Sequence, residues 1–121
     1  MKKILLAEND TFLISIYANQ LRKSGYSTSI ARDGEIVIDR IKDISPDLLI
    51  LDSDLPKTEG FSILKRLRED AGIKELKVVM LSNFFQEGNI DENTELGVIK
   101  YFSKAENTSE EIVAEIKRIL N

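Results

Sequence analysis

The apolar run Leu48-Leu49-Ile50-Leu51 stops on Asp52-Ser53-Asp54, two carboxylates one residue apart, before Pro56 and Gly60 turn the chain. A carboxylate just past an apolar strand can be a phosphatase nucleophile, the acceptor of a phosphoryl group in a signalling switch, or an ordinary turn residue. Three other apolar runs end on polar residues: Lys3–Ala7 meets Glu8-Asn9-Asp10, Lys77–Ser82 ends on Ser82-Asn83, and Val98–Phe102 meets Ser103-Lys104. Converging carboxylates and a neutral amide would make an oxygen-rich site of the kind Mg²⁺ takes, with one or two carboxylates plus waters. A hydroxyl (Ser82) and an ammonium (Lys104) beside it suit a phosphoryl group on Asp52. The cation and Lys104 would neutralise its charge, Ser82 would donate to a phosphoryl oxygen, and Asp52 would be the nucleophile.

Such convergence requires a fold that gathers strand ends, and the hydrophobic pattern describes one. Short apolar runs alternate with helical periodicities five times. Lys3–Ala7 is a strand, after which Phe12, Leu13, Ile16, Tyr17 and Leu21 mark a helix closed by Gly25. A strand at Ser27–Ala31 meets the turn signal Asp33-Gly34, and Ile36, Val37, Ile38 and Ile41 mark a second helix ended by Ser45-Pro46. Leu48–Leu51 is apolar without alternation and reads as buried on both faces. A third helix over roughly Gly60–Asp70 turns Phe61, Ile63, Leu64 and Leu67 inward, followed by the strand Lys77–Ser82. The stretch from Asn83 to Gly97 has a thin helical stripe, Ile90 and Leu96, and is expected to hold a fourth helix; Phe84 and Phe85 within it would tuck under that helix or face a partner. Val98–Phe102 is a fifth strand. Thr108 and Glu111 form a capping box opening a last helix with Ile112, Val113, Ile116, Ile119 and Leu120 inward. Five such units predict a parallel sheet with helices on both faces, whose ligands sit at the carboxyl ends of the strands.

Composition narrows the chemistry. At 121 residues the chain is expected to form one domain, residues 1–121. With 17 Lys and Arg against 21 Asp and Glu, a net charge of -4, no basic field advertises nucleic-acid binding. The absence of cysteine removes disulfides and thiolate sites; the absence of histidine removes histidine-dependent triads, histidine-ligated metals and any histidine phosphocarrier within the chain. Ile4–Ala7 is too short for a signal-peptide core and no apolar run reaches membrane-spanning length, so a cytoplasmic location is expected. No glycine-rich phosphate loop follows the first strand.

Four stretches together carry a resemblance: ILLAEND at the first turn, PDLLILDSDLPKTEGF around Asp52, VVMLS ending on the hydroxyl, and GVIKYFSKA ending on the lysine. In their order, and with the D-x-x-L-P-x-x-x-G-F pattern, the chain resembles the receiver domains of two-component response regulators along its whole length. The resemblance implies a three-layer, doubly wound (βα)5 flavodoxin-like fold with a five-stranded parallel sheet in the order 2-1-3-4-5. It implies Asp52 as phosphoacceptor, Glu8 and Asn9 as a Mg²⁺-binding pair together with Asp52 and the backbone carbonyl of Asp54, Ser82 as switch hydroxyl, Tyr101 as the aromatic that moves with it, and Lys104 as the phosphate-pairing cation. The implied partners are a histidine kinase or histidine phosphotransfer protein and a downstream protein reading the face of the fourth helix, fifth strand and last helix. The implied chain is a monomer or a phosphorylation-dependent dimer and not an enzyme beyond its own phosphorylation and dephosphorylation.

Three residues depart from the family pattern. Asn9 stands where most receivers have a second acid, Asn83 where a smaller residue follows the switch hydroxyl, and Ala105 where proline follows the lysine, which predicts a trans Lys104-Ala105 bond or local strain. Asn9 and Asn83 keep open a second reading, a pseudo-receiver that binds proteins without phosphate control. A third, a haloacid dehalogenase-type phosphatase, shares the D-x-D of Asp52-Ser53-Asp54, but that motif ordinarily follows a first strand rather than a third.

Overall fold

All five residues of Leu48–Asp52 are buried, and a strand with no solvent face must lie inside a sheet covered on both sides. It is the central strand of such a sheet. The computed structural model describes residues 1–83 and 95–121. In chain order its elements are β1 (Lys3–Ala7), α1 (Thr11–Lys23), β2 (Ser27–Ala31), α2 (Gly34–Ile44), β3 (Leu48–Asp52), α3 (Gly60–Glu69), β4 (Lys77–Ser82), β5 (Val98–Ser103) and α4 (Ser109–Leu120). The strands form one sheet in the order β2-β1-β3-β4-β5, and every pairing is parallel. This is the three-layer, doubly wound, flavodoxin-like α/β architecture expected from the sequence.

Alternate strand residues feed two separate cores. Leu5, Ala7, Leu49, Leu51, Val78 and Met80 pack with α2 and α3, whereas Ile4, Leu6, Ile50, Val79, Leu81 and Phe102 pack with α1 and α4. The period of two along each strand thus becomes two layers of helix. The expected inward residues of the last helix are buried except Ile119, which is half-buried against its core.

The first helix forms as expected, but of the apolar residues that mark it Phe12 is 71% exposed, and Ile14, Tyr17, Ala18 and Leu21 form the buried stripe. Their i, i+3, i+4, i+7 spacing leaves Phe12 outside the apolar arc, on the first turn after the Asp10 cap. Phe61, expected inward, is half-buried. Leu96 does pack against the α2 and α3 core. The fourth helix expected between β4 and β5, with Ile90, and the Phe84-Phe85 pair lie outside the described residues.

Helix ends are fixed by local chemistry. Asp10 accepts the Leu13 N–H and starts α1, which ends where Gly25 takes φ +95° and the Tyr26 N–H returns to the Leu21 carbonyl. Asp33, read as a turn residue, caps α2 by accepting from the Glu35 and Ile36 N–H groups, and Thr108 and Glu111 form the expected capping box. At the far end of the domain the Arg68 guanidinium donates to the carbonyls of Leu76 (2.6 Å), Leu96 (2.7 Å) and Lys74 (2.8 Å), tying α3 to the approaches of β4 and β5.

The loop between β3 and α3 is closed on itself and on α2. The Gly60 N–H donates to the Ser53 carbonyl (2.9 Å) and the Gly34 N–H to the Pro56 carbonyl (3.0 Å). Lys57 takes φ 72°, with its ammonium 3.7 Å from Asp33 and 3.8 Å from Glu35. Alanine normally stabilises a helix by about 1 kcal/mol relative to glycine, but a Cβ on Gly60 would stand 2.8 Å from the Ser53 Cα and 2.9 Å from the Met80 methyl. The backbone contact cannot yield cheaply, so crowding decides the sign. Gly60→Ala is expected to lower stability by about 1–3 kcal/mol, read as a shifted midpoint in urea; an unchanged or higher midpoint would show that the loop can move aside.

Candidate functional site

Parallel register puts the carboxylates together. β1 and β3 are neighbours with Ala7 opposite Leu51, so Glu8 and Asp52 follow side by side at their carboxyl ends. Both are buried, Glu8 at 1% exposure and Asp52 at 4%. The Ser53 N–H donates to the Leu81 carbonyl (2.9 Å), which carries β3 alongside β4 to its last residue. Asp52 is the final residue of its strand rather than the first of the turn.

Lys104 supplies the countercharge from beyond β5. Its ammonium lies 3.0 Å from the Asp52 Oδ2, 3.0 Å from the Glu8 Oε1 and 2.9 Å from the Glu8 Oε2, with only 11% of the side chain exposed. The Asp54 N–H donates to the Asp52 Oδ1 (3.0 Å) and the Asp10 N–H to the Glu8 Oε1 (3.2 Å). Glu8 Oε2, close as it is to the ammonium, is not aligned for a hydrogen bond and is a buried acceptor without one. Its charge is countered while its lone pairs remain available.

The remaining candidates fall into two groups. Ser82 is buried at the end of β4, and its carbonyl accepts the Lys104 N–H at 2.7 Å, so it adjoins the lysine loop. Tyr101 is half-buried on β5 and packs against the α2 and α3 core. Asn9, Asp10 and Asp54 are exposed at the rim, and Asp10 serves as the α1 cap. The carbonyl of the exposed Asn83 accepts the Ser103 hydroxyl (3.3 Å). The Lys104-Ala105 bond is trans.

The donors fit a hard cation partially. Glu8 and Asp52 supply two anionic groups, and Mg²⁺ ordinarily takes one or two with water completing its octahedron. Among the described residues no group of three or more His, Cys, Asp or Glu side chains converges on one point. A cation here would depend on the Asn9 amide, backbone and water for its other ligands. One feature carried little signal in sequence: Asn107, whose side chain shapes the loop bearing Lys104, marked there only by the preference of asparagine for turns.

Electrostatics sets a sign for pH dependence. Burial pushes the Glu8 carboxyl above its ordinary 4.5, the hydrogen bond from Lys104 pulls it down, and the charge of Asp52 adds to the rise. Burial alone would lower the Lys104 ammonium, but its two carboxylate partners outweigh it and hold it above 10.5. Between 4.5 and the raised folded value of Glu8, the native state binds more protons than the unfolded chain, so this group makes stability fall as pH rises. The contribution of Lys104 is fully present below 10.5 and is lost as pH climbs through its raised folded value. Glu8→Gln is therefore expected to flatten the fall in melting temperature above pH 4.5 without loss of stability at pH 7. Lys104→Met, which leaves two buried carboxylates without a cation, should cost about 1–3 kcal/mol at pH 7. Thermal melts of both variants across pH check the pair, and a Gln variant less stable than the parent at pH 7 would contradict the assignment.

Comparison with known proteins gives the chain a family. Residues 4–117 match the model of the response regulator receiver domain family. The chain is 38% identical over 120 residues to the transcriptional regulatory protein CpxR of Escherichia coli (strain K12), an alignment covering 99% of this chain and 50% of that protein. It thus spans about half the length of the curated relative. Of the solved structures, the non-phosphorylated HemR receiver domain of Leptospira biflexa superposes with a TM-score of 0.91 at 21% identity, covering 100% of this chain and 95% of that one, a likeness of fold. The Mn(2+)-bound form of the response regulator Rcp1 superposes with a TM-score of 0.86 at 25% identity, covering 99% and 94%. Matched by the family model from Ile4 to Lys117, with the strand-end carboxylates and lysine in place, the chain belongs to the response regulator receiver domain family.

Proposed function

We propose that the chain is a phosphoacceptor switch whose acceptor is Asp52. The observation that carries this reading is the placement of Asp52 between two donors, the Asp54 N–H on one oxygen and the Lys104 ammonium on the other, with Glu8 beside it. A carboxylate held at both oxygens is oriented as a nucleophile, and the ammonium stands ready for the charge that a phosphoryl group brings. The donor is a histidine outside these residues, on a histidine kinase or histidine phosphotransfer protein, because the 121 residues contain none. In the transfer, a carboxylate oxygen of Asp52 bonds to phosphorus as the phosphorus–nitrogen bond of the donor breaks, its electron pair staying on the imidazole nitrogen. Beyond carrying this transfer and its hydrolysis, the chain acts as no enzyme.

Glu8, Asp52, the Asn9 side-chain oxygen and the Asp54 carbonyl would hold Mg²⁺, which when bound neutralises charge between the acceptor and the incoming phosphoryl oxygens. The Mn(2+)-bound state of Rcp1 supports a divalent cation in this family. Ser82, buried at the end of β4, would donate its hydroxyl to the new group, and Tyr101 on β5 would repack with it. The readout is altered affinity for a downstream protein at the face of β5 and α4, or for a second copy of the chain. Among the described residues no helix is long and apolar enough to cross a membrane, in keeping with a cytoplasmic setting.

A second reading rests on Asn9. With an amide where a third carboxylate would stand, this reading has the cation held too weakly for transfer, leaving a receiver fold that binds partners without phosphate control. Intact mass after incubation with a small acyl phosphate separates the two. The switch predicts a Mg²⁺-dependent phosphoryl adduct that Asp52→Ala abolishes; no adduct under any condition favours the second reading. Asn9→Asp adds a full charge to the donor set and is expected to tighten Mg²⁺ binding about tenfold, followed by amide shifts in an NMR titration. An unchanged affinity would place the cation away from residue 9.

A further inference from the structure

Lys104 sits in a tight turn that one side chain closes. The Asn107 Oδ1 accepts the Ser103 N–H at 2.8 Å, and the Asn107 N–H donates to the Ser103 carbonyl at 2.8 Å, so residue 107 binds both backbone groups of residue 103. The Ser103 hydroxyl accepts the Glu106 N–H (3.3 Å) and donates to the Asn83 carbonyl (3.3 Å), while the Lys104 N–H donates to the Ser82 carbonyl (2.7 Å). The lysine is therefore pinned at its own amide and on both sides. Its four-carbon stem then reaches the carboxylates of β1 and β3 from a loop that follows the edge strand β5.

We propose that Asn107 is the positioning residue for Lys104: its side chain sets the turn from which the ammonium meets Asp52. This rests on the reading of Asp52 as phosphoacceptor for its effect on transfer, though not for the turn itself. Asn107 touches neither carboxylate, and its action passes through the backbone of Ser103 and Lys104. Asparagine fits the place because it can accept from a nearby N–H while its own backbone turns. An aspartate there could accept the same N–H and would meet the N-terminus of α4, where negative charge is favoured. Alanine could not.

The test compares the parent with Asn107→Ala and Asn107→Asp in phosphorylation by a small acyl phosphate over a range of donor concentrations, with amide hydrogen exchange on the same samples. Asn107→Ala should lower the maximal rate about tenfold while the donor concentration giving half-maximal rate stays unchanged, because the ammonium is misplaced rather than lost. Asn107→Asp should restore the rate to within about twofold. The Lys104 N–H should exchange faster in the alanine variant only. A folded alanine variant with the parental rate and parental exchange at Lys104 would overturn the proposal, as would an aspartate variant that fails to rescue. Should the parent itself take no phosphoryl group, the phosphoacceptor reading fails, and exchange at Lys104 alone decides whether Asn107 holds the turn.

Discussion

Two carboxylates buried against each other cannot stay without a cation, and much of this structure serves to bring one to them. Glu8 and Asp52 arrive together because β1 and β3 are adjacent and in parallel register. Burial and the nearby charge of Asp52 both favour protonation of Glu8, and its raised value is what the pull of Lys104 leaves of that conflict. Lys104 resolves it from a distance, since β4 separates its strand from β3. Removing the ammonium would expose the cost that the strand order imposes, so the centre is a constraint on the fold as much as a site within it.

Because the helices cover both faces of the sheet, chemistry is confined to the strand ends. The same division that sends Leu5 and Leu49 to one core and Ile4 and Ile50 to the other leaves no polar side chain in the interiors of β1, β3 and β4, whereas the edge strands β2 and β5 carry Thr28, Ser29, Lys100 and Tyr101. Polar residues at the carboxyl ends are then free of a packing role, and their identities are set by charge and reach. This is the physical reason that a family of one fold can differ at positions such as Asn9 and Ala105 without losing its architecture. A trans bond after Lys104 is accommodated by hydrogen bonds in the following turn.

What the sequence makes legible follows from which forces are local. Strand positions, the covered sheet and the capping box at Thr108 and Glu111 are written in periodicity and in residues next to one another. The meeting of Glu8, Asp52 and Lys104 is readable because each directly ends a strand or follows one. Phe12 is among the apolar residues whose spacing marks the first helix, whereas the helix buries the arc of Ile14, Tyr17, Ala18 and Leu21 and leaves its first turn outside. Asn107 carries no such signal, because its partner, the N–H of Ser103, belongs to the backbone and has no letter of its own. The same holds for Arg68, whose partners are all carbonyls.

The loop that carries Asp54 differs in kind from the centre beside it. Its left-handed residue, Lys57, bears a conformation that costs a residue with a side chain about 1–2 kcal/mol; its ammonium, half exposed, leans on Asp33 and Glu35 at 3.7 and 3.8 Å. Attraction between exposed charges weakens as salt shortens its range to about 8 Å near physiological strength and further above it. The Lys104 cluster, shielded from water, keeps its attraction. Ionic strength therefore acts unevenly across a few ångströms of this protein, loosening the rim at Lys57 while leaving the Lys104 countercharge beside Asp52 in place.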